Sequence, residues 1–388
     1  MFNLFKKEAL GLDISDRSIE IISLGGTLEN PQLLAVGRAV LEPGIVENGK
    51  LLDKEKLKDS LQNLIKNPKL GEIKTKKFIF SLPESRTFIH IVEFPEDLKK
   101  REELEFIESQ ASQTFPYSLK DLHLDFKTRK RDNLKEVLLV AAPKNIVDDY
   151  LEVFKSLKLH PFALETESES LGRSLIQDQK ETTLIADIGM RTTNFSIFDE
   201  KELRLSVSIE IAGNRFTQSL AENLKISRGE AETLKKEVGL NPEPRGGRTF
   251  LILQKEVQGI IWEIREIEKY FQKKENKKIK KIILAGGSAL LPRLSEYLTE
   301  NLERPASIGN PWNKINIDIF QEEEYFKKIL EINPILYATC IGSALRGLAK
   351  NPEKTGINLI KEIKAKKLSF ISTILAKIKR SPFDKQLF

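Results

Sequence analysis

Three short segments recur along this chain, each an apolar run closed by an Asp or by glycines: Leu10-Gly-Leu-Asp-Ile-Ser15, Leu184-Ile-Ala-Asp-Ile-Gly189 and Ile282-Ile-Leu-Ala-Gly-Gly-Ser288. Apolar runs of this length, bounded by turn residues, read as buried strands. The first two are followed by second strands over 18–24 and 192–198, so each makes a β-hairpin with an Asp, Asp13 or Asp187, ending its first strand. The third reads as a strand, a glycine turn and a helix over 290–302, which aims backbone N–H groups at whatever lies above the strand. Two hairpin loops facing each other across a cleft can cradle phosphates. The two strand-end carboxylates can then hold a hydrated Mg2+.

At 388 residues the chain has room for two core domains and an insertion. A single cysteine, Cys340, excludes an intramolecular disulfide, and its apolar helical surroundings mark it as a small buried residue rather than a reactive thiol. His90, His123 and His160 lack ligand spacing, which argues against a zinc site or a histidine-centred triad. No apolar run approaches the ~20 residues that span a bilayer, so a soluble or peripheral protein of the cytosol is expected. The net charge of +6 is concentrated: residues 361–388 hold eight Lys or Arg and two acids, and the rest of the chain carries 55 of each sign. The run Lys273-Lys-Glu-Asn-Lys-Lys-Ile-Lys-Lys281 reads as a solvated helix end, because a nucleic-acid surface would interleave aromatics.

Periodicity divides the chain. Strands over 10–14, 18–24, 32–41 and 77–82, with a helix over 53–66, open a first domain spanning 8–83 and resuming over 161–182. Between them, strands over 86–94, 122–126 and 137–142 and helices over 97–113 and 144–157 make a small α+β insertion bounded at 84–160. A second domain is expected over 183–350, mostly helical over 220–278, followed by a basic tail over 351–388.

The ordered set of two strand-Asp-turn-strand units and a Gly-Gly-Ser turn resembles the phosphate 1, phosphate 2 and adenosine motifs of the actin-like ATPase superfamily. That resemblance implies an α/β fold of two ribonuclease H-like halves. The insertion is similar to that of the FtsA and PilM group. Val92-Glu-Phe-Pro-Glu-Asp97, the acidic stretch from Glu102 through Phe115-Pro-Tyr117 to Asp125, and Val140-Ala-Ala-Pro-Lys-Asn-Ile-Val-Asp-Asp-Tyr150 resemble the PilM pattern. So does Leu336-Tyr-Ala-Thr-Cys-Ile-Gly-Ser-Ala-Leu-Arg-Gly-Leu348, which is similar to the connecting helix of the second domain. The resemblance covers about residues 8 to 350.

It implies ATP or ADP with Mg2+ as ligand, Asp13 and Asp187 holding the metal through water, and at most a slow ATPase. Ser15, Asp16 and Arg17 would form the first phosphate loop, and Gly189, Arg191, Thr192 and Thr193 the second, joined by Gly213. Gly286, Gly287 and Ser288 would form the nucleoside turn, with Glu232 and Lys235 reaching ribose and base; on spacing alone these two are equally a surface ion pair. Glu165, Glu167 and Glu169 lie in the segment from which active relatives orient a water, and as acids at a helix start they also suit its dipole. Two departures stand out. Where relatives carry Asp-Ile-Gly-Thr or Ser, this chain has Asp13-Ile-Ser-Asp16, and a carboxylate ~4 Å from a phosphate costs about 4 kcal/mol at an effective dielectric of ~20, so Asp16 must point away or pair with Arg17. Arg191 replaces a small residue, and presents a guanidinium to phosphate or fills the site.

In the tail, Leu368, Ile371, Ile374, Leu375 and Ile378 recur at helical spacing beside Lys377, Lys379 and Arg380, the pattern of a membrane-surface helix. Before it, Gly356-Ile-Asn-Leu-Ile360 resembles the cytoplasmic N-terminal segment of PilN, which PilM binds in a groove between its first domain and the insertion. Ile357, Asn358 and Leu359 are thus candidates to occupy that groove, in their own molecule or a neighbour's. The resemblance implies a cytoplasmic scaffold of the type IV pilus, or of a related type II secretion-like platform, at the inner face of the membrane. Its partners would be a PilN-like inner-membrane protein, with the motor ATPase, the platform protein and self-association as further candidates, and no nucleic acid. The alternatives are a membrane-tethered FtsA-like filament and a small-molecule kinase. For the kinase no sugar-binding segment is evident.

Overall fold

A computed structural model describes residues 7–131, 133–178, 180–243, 247–317 and 323–360. The first domain opens with β1 (Glu8–Ile14), β2 (Ser18–Gly26) and β3 (Pro31–Val40), then a small β4 (Val46–Glu47) and β5 (Lys50–Leu51) ladder, α1 (Lys54–Lys66), β6 (Leu70–Gly71) and β7 (Lys77–Leu82). The insertion follows as β8 (Phe88–Pro95), α2 (Lys100–Thr114), β9 (Leu122–Arg131) and β10 (Leu134–Pro143). The chain returns through α3 (Lys144–Ser156), β11 (His160–Thr166) and α4 (Glu167–Leu175). The second domain holds β12 (Thr183–Ile188), β13 (Thr193–Asp199), β14 (Glu202–Ile209), α5 (Gly213–Leu224), α6 (Arg228–Glu237), α7 (Arg248–Glu275), β15 (Lys281–Ala285), α8 (Leu294–Leu302) and β16 (Ala306–Ile308). Last come α9 (Glu323–Leu330) and α10 (Ala338–Leu348).

The two large sheets repeat one topology. The first runs β11-β7-β1-β2-β3-β6 and the second β14-β13-β12-β15-β16. In each, the hairpin pairs antiparallel and the strand carrying the Asp pairs parallel with the next strand in, β1 with β7 and β12 with β15. Loops at the C-terminal ends of β1 and β12 therefore occupy equivalent places in the two halves. The halves differ in what covers them: 28-residue α7 buries Leu253, Val257, Ile260, Ile264 and Phe271 against the second sheet, whereas the first is covered by α1, α3 and α10.

The packing moves two of the boundaries expected from the sequence. Helix α3, expected in the insertion, lies on α1 and places Tyr150 and Phe154 against Phe80 of β7, with ring centroids 5.1 Å apart in both pairs. It belongs to the first-domain core. Helix α10, expected in the second domain, lies across β1, β7 and α4. Small residues let the backbones meet there: a Cβ on Gly11 would fall 1.8 Å from the Cys340 carbonyl oxygen, and one on Gly342 would fall 1.9 Å from that of Ser170. Cys340 is fully buried in this seam. Two helix starts also shift: α2 begins at Lys100, where Glu102 accepts from the Lys99 N–H, and α8 begins at Leu294, because a 3-10 turn takes up Gly287–Leu290.

The insertion sheet runs β8-β10-β9 and shows the period of two expected of a strand buried on both faces. Val137, Leu139 and Ala141 pack under α2, while Leu138, Val140 and Ala142 join the first-domain core. A buried charge network then ties it to the second domain. Glu136 accepts from Arg129 Nε (2.6 Å) and from Arg204 Nη1 of β14 (2.5 Å), Lys127 pairs with Glu202 (2.6 Å), and Arg131 pairs with Glu275 at the end of α7.

Candidate functional site

Asp13 and Asp187 end their strands opposite Glu20 and Asn194, and they face a common acidic centre. Glu84, after β7, and Glu167, at the start of α4, complete it: the Glu84 N–H donates to Glu167 Oε2 (2.9 Å), while the Glu84 carboxylate accepts from Ser206 Oγ of the second domain (2.8 Å) and from the Ser168 N–H (3.3 Å). Asp13 Oδ1 is shut off from solvent and has no hydrogen-bond partner. Burial, then the charges of Glu20 and Asp187, push the Asp13 carboxyl well above the usual range. Burial, then Glu84, pushes Asp187 up to about 6, and burial, then Asp13 and Asp187, pushes Glu167 well up. Acids that repel one another are relieved by a bound cation. Among the described residues no group of three or more His, Cys, Asp or Glu side chains is placed to hold a metal ion directly.

In the first loop the Ser15 hydroxyl is spent within its own turn, accepting from the Ser18 N–H (3.1 Å). Asp16 does not pair with Arg17. It accepts from the N–H groups of Asn48 (2.7 Å) and Gly49 (2.9 Å), and Arg191 Nε of the second loop meets it at 2.6 Å. The two departures noted in the sequence thus answer each other across the cleft. Arg17 is exposed beside them.

The second loop is fixed to the start of α5. Gly189 O accepts from the Gly213 N–H (3.1 Å) and from Ser288 Oγ (2.8 Å), and Met190 O accepts from the Asn214 N–H (2.7 Å). Lys235 Nζ donates to Gly213 O (3.1 Å), Thr217 Oγ1 (2.9 Å) and Glu232 Oε2 (2.7 Å). Glu232 and Lys235 are therefore at the site and also paired. Burial lowers the Lys235 ammonium; burial would raise Glu232, but the bonds from Lys235 and Thr217 outweigh it and hold the carboxyl at about 2. Gly286 (φ +78°) is required, since a Cβ there would fall 2.4 Å from Asp187 Oδ1. Gly287 stands open, with only Leu336 Cδ2 near its missing side chain (3.9 Å). Thr193 is buried and its hydroxyl is turned to Ile211 O (2.6 Å), away from the cleft, whereas Thr192 and Arg191, with Asn48, Asn214 and Arg215, line a cavity of about 530 Å³ at its mouth.

Of the three acids in the connecting segment, only Glu167 joins the acidic centre. Glu165 is bound at both oxygens by Arg173 (2.9 and 2.8 Å) and by Arg346 Nη1 (2.8 Å), all in the interior. Sequence reasoning missed Glu84 and Asn48, which lie outside any motif, and Arg346, which lies within the 336–348 segment without being singled out there.

Past α10 the chain turns back, and residues 356–360 pass from a bend at Gly356 into a turn at Leu359 and Ile360, seated between edge strand β11 and strand β9 of the insertion. Leu359 N–H donates to Leu164 O (2.9 Å) and Asn358 N–H to Asp125 Oδ2 (2.9 Å). The Asn358 side chain accepts from the Leu164 N–H (3.2 Å) and donates to Phe162 O and Glu353 O (both 3.1 Å). Ile357 and Leu359 are buried in the first-domain core, and Arg346 Nη1 donates to Ile357 O (2.5 Å). The expected amphipathic helix, with Leu368, Ile371, Ile374, Leu375, Lys377, Ile378, Lys379 and Arg380, lies outside the described residues. No described helix is long and apolar enough to cross a membrane.

The solved structure of a PilM-PilN type IV pilus biogenesis complex is similar to this chain at a TM-score of 0.74 and 20% identity, covering 88% of this chain and 98% of that one. The ethanolamine utilization protein EutJ from Carboxydothermus hydrogenoformans follows at a TM-score of 0.50 and 15% identity, covering 87% and 89%. With the repeated sheet topology, these likenesses give a two-domain actin-like fold. A model of the family described as type IV pilus assembly protein PilM matches residues 11–348, a span that holds both hairpin loops, the insertion and α10, and the chain belongs to that family.

Proposed function

We propose that this protein is an actin-like nucleotide-binding scaffold of a type IV pilus, or related type II secretion-like, assembly platform. It works at the cytoplasmic face of the inner membrane and engages a PilN-like membrane protein. The observation that carries the reading is family membership over residues 11–348, which takes in both halves of the cleft and the insertion. The nucleotide part is supported by the site itself. Asp13 and Asp187 would hold Mg2+ through its waters, the unpartnered Asp13 Oδ1 supplying an acceptor. Bound ATP or ADP would supply phosphate charge that bridges the two loops, and Arg191, now on Asp16, is the side chain placed to turn to it. Glu232, Lys235 and Ser288 lie on the nucleoside side.

Among the described residues no carboxylate stands free beside the loops as a hydrolytic base: Glu165 is locked by two arginines, and Glu167 accepts from the Glu84 N–H. Turnover is therefore expected below ~1 per second, under the ordinary range for enzymes. The test is co-purification of the full chain with a PilN-like membrane protein, with and without that partner's cytoplasmic N-terminal segment, alongside a titration with Mg2+-ATP. Retention that depends on the segment, and nucleotide binding that Asp13→Asn makes independent of Mg2+, are the expected results. Absence of retention would end the scaffold reading.

A further inference from the structure

The groove filled by residues 356–360 reads a tripeptide. Ile357 and Leu359 are both buried in the first-domain core, while Asn358 between them meets the polar wall. Five hydrogen bonds converge on Asn358, four of them through its side-chain amide and one through its N–H to Asp125. A segment that served only to close the core would need apolar residues there. A buried amide with every polar atom matched instead discriminates, because a side chain that leaves those partners unpaired is rejected. The groove wall belongs to two separate bodies, β11 of the first sheet and Asp125 of the insertion, and at edge strand β11 the Leu359 N–H donates to Leu164 O while the Leu164 N–H donates to the Asn358 side chain. Apart from Glu353, which precedes the segment, and Ile360, which belongs to it, every partner, Arg346 included, would serve an identical segment of another chain equally well.

We propose that residues 356–360 are a built-in occupant of a peptide-binding groove, and that an apolar-Asn-apolar segment of a partner chain gains the groove by displacing them. The identity of that partner, though not the groove, rests on the function proposed above. A tether this short holds its segment at an effective concentration on the order of 1 mM. With an intrinsic dissociation constant of ~30 μM the groove stands open about 3% of the time, which weakens a competing peptide about 30-fold.

The probe is a fluorescent synthetic peptide of residues 354–361, Lys-Thr-Gly-Ile-Asn-Leu-Ile-Lys, titrated into the full chain. Asn358→Asp in the protein removes the amide donors and sets a carboxylate beside Asp125, releasing the tether; this variant is expected to bind the peptide about 30-fold more tightly than the wild type. Equal affinity in the two proteins, or no binding to the variant, overturns the proposal. If the variant fails to fold, hydrogen exchange on the wild type decides: peptide at several millimolar should speed exchange of the Asn358 and Leu359 amides and leave the Leu164 amide slow, and unchanged exchange overturns the proposal. A PilN-like segment that fails to compete with the bound peptide would sink the partner and leave the groove standing. One that binds wild type and variant equally would sink the competition instead.

Discussion

Asp16 and Arg191 each break the motif they sit in, and together they make one ion pair at 2.6 Å across the cleft. Removing the carboxylate frees the guanidinium and deletes a charge that repels phosphate, worth up to about 4 kcal/mol at close range and an effective dielectric of ~20. Asp16→Asn should therefore raise Mg2+-ATP affinity about tenfold, and Arg191→Ala should lower it, both read by calorimetric titration. No change in either variant would place phosphate elsewhere. Deeper in, burial raises Glu165 while Arg173 and Arg346 outweigh it and hold the carboxyl at about 2, below its ordinary 4.5. A depressed carboxyl stabilises the fold above the unfolded value and loses that contribution as pH falls from 4.5 toward 2. Glu165→Gln, which leaves Arg346 buried without its counter-charge, should cost about 3–5 kcal/mol in denaturant unfolding at pH 7, a gap that narrows below pH 4.5. Asp13, Asp187 and the glycines of the third motif were legible because strand-end acids and glycine turns are local patterns. The pairing of Asp16 with Arg191, and the use of Glu165 as a structural anchor, were not, since each needs residues brought together from distant loops.

Among the elements, the hairpins, α1, α7 and the three insertion strands follow from hydrophobic period and turn residues, which are properties of a segment taken alone. Which body a helix joins is not such a property. Helix α3 has an apolar face that fits either neighbour, and it follows β10 directly, so the sequence groups it with the insertion while packing sets it on α1. Helix α10 shows the same limit, and its glycines explain the outcome: Gly342 meets the backbone of α4 and Gly347 meets Ala9 of β1. A methyl group on Gly342 would fall 1.9 Å from the Ser170 carbonyl oxygen, where backbone cannot yield cheaply, so Gly342→Ala should destabilise by about 3 kcal/mol or more. Thermal unfolding reads this directly, and an unchanged midpoint would mean that α10 does not seat on α4 as described.

At the scale of the molecule, the cleft proposed for nucleotide and the groove proposed for peptide are linked by a short path. Glu84 touches the second domain through Ser206 and α4 through Glu167 and Ser168. Strand β9 carries Asp125 of the groove, and also Lys127 and Arg129 of the network that reaches Glu202 and, through Glu136, Arg204. A change in how the halves meet would thus reach the insertion wall of the groove. The overall architecture was legible from the order of three motifs. The seating of residues 356–360 was legible only as a candidate, because five residues carry too little pattern to say where a segment docks. The most direct measurement is hydrogen exchange on the full chain, alone and with the cytoplasmic N-terminal segment of a PilN-like protein and Mg2+-ATP. Slower exchange is expected in both cleft loops with nucleotide, and faster exchange at Asn358 and Leu359 with the segment while Leu164 stays protected. Exchange that neither ligand alters at these positions would contradict both expectations.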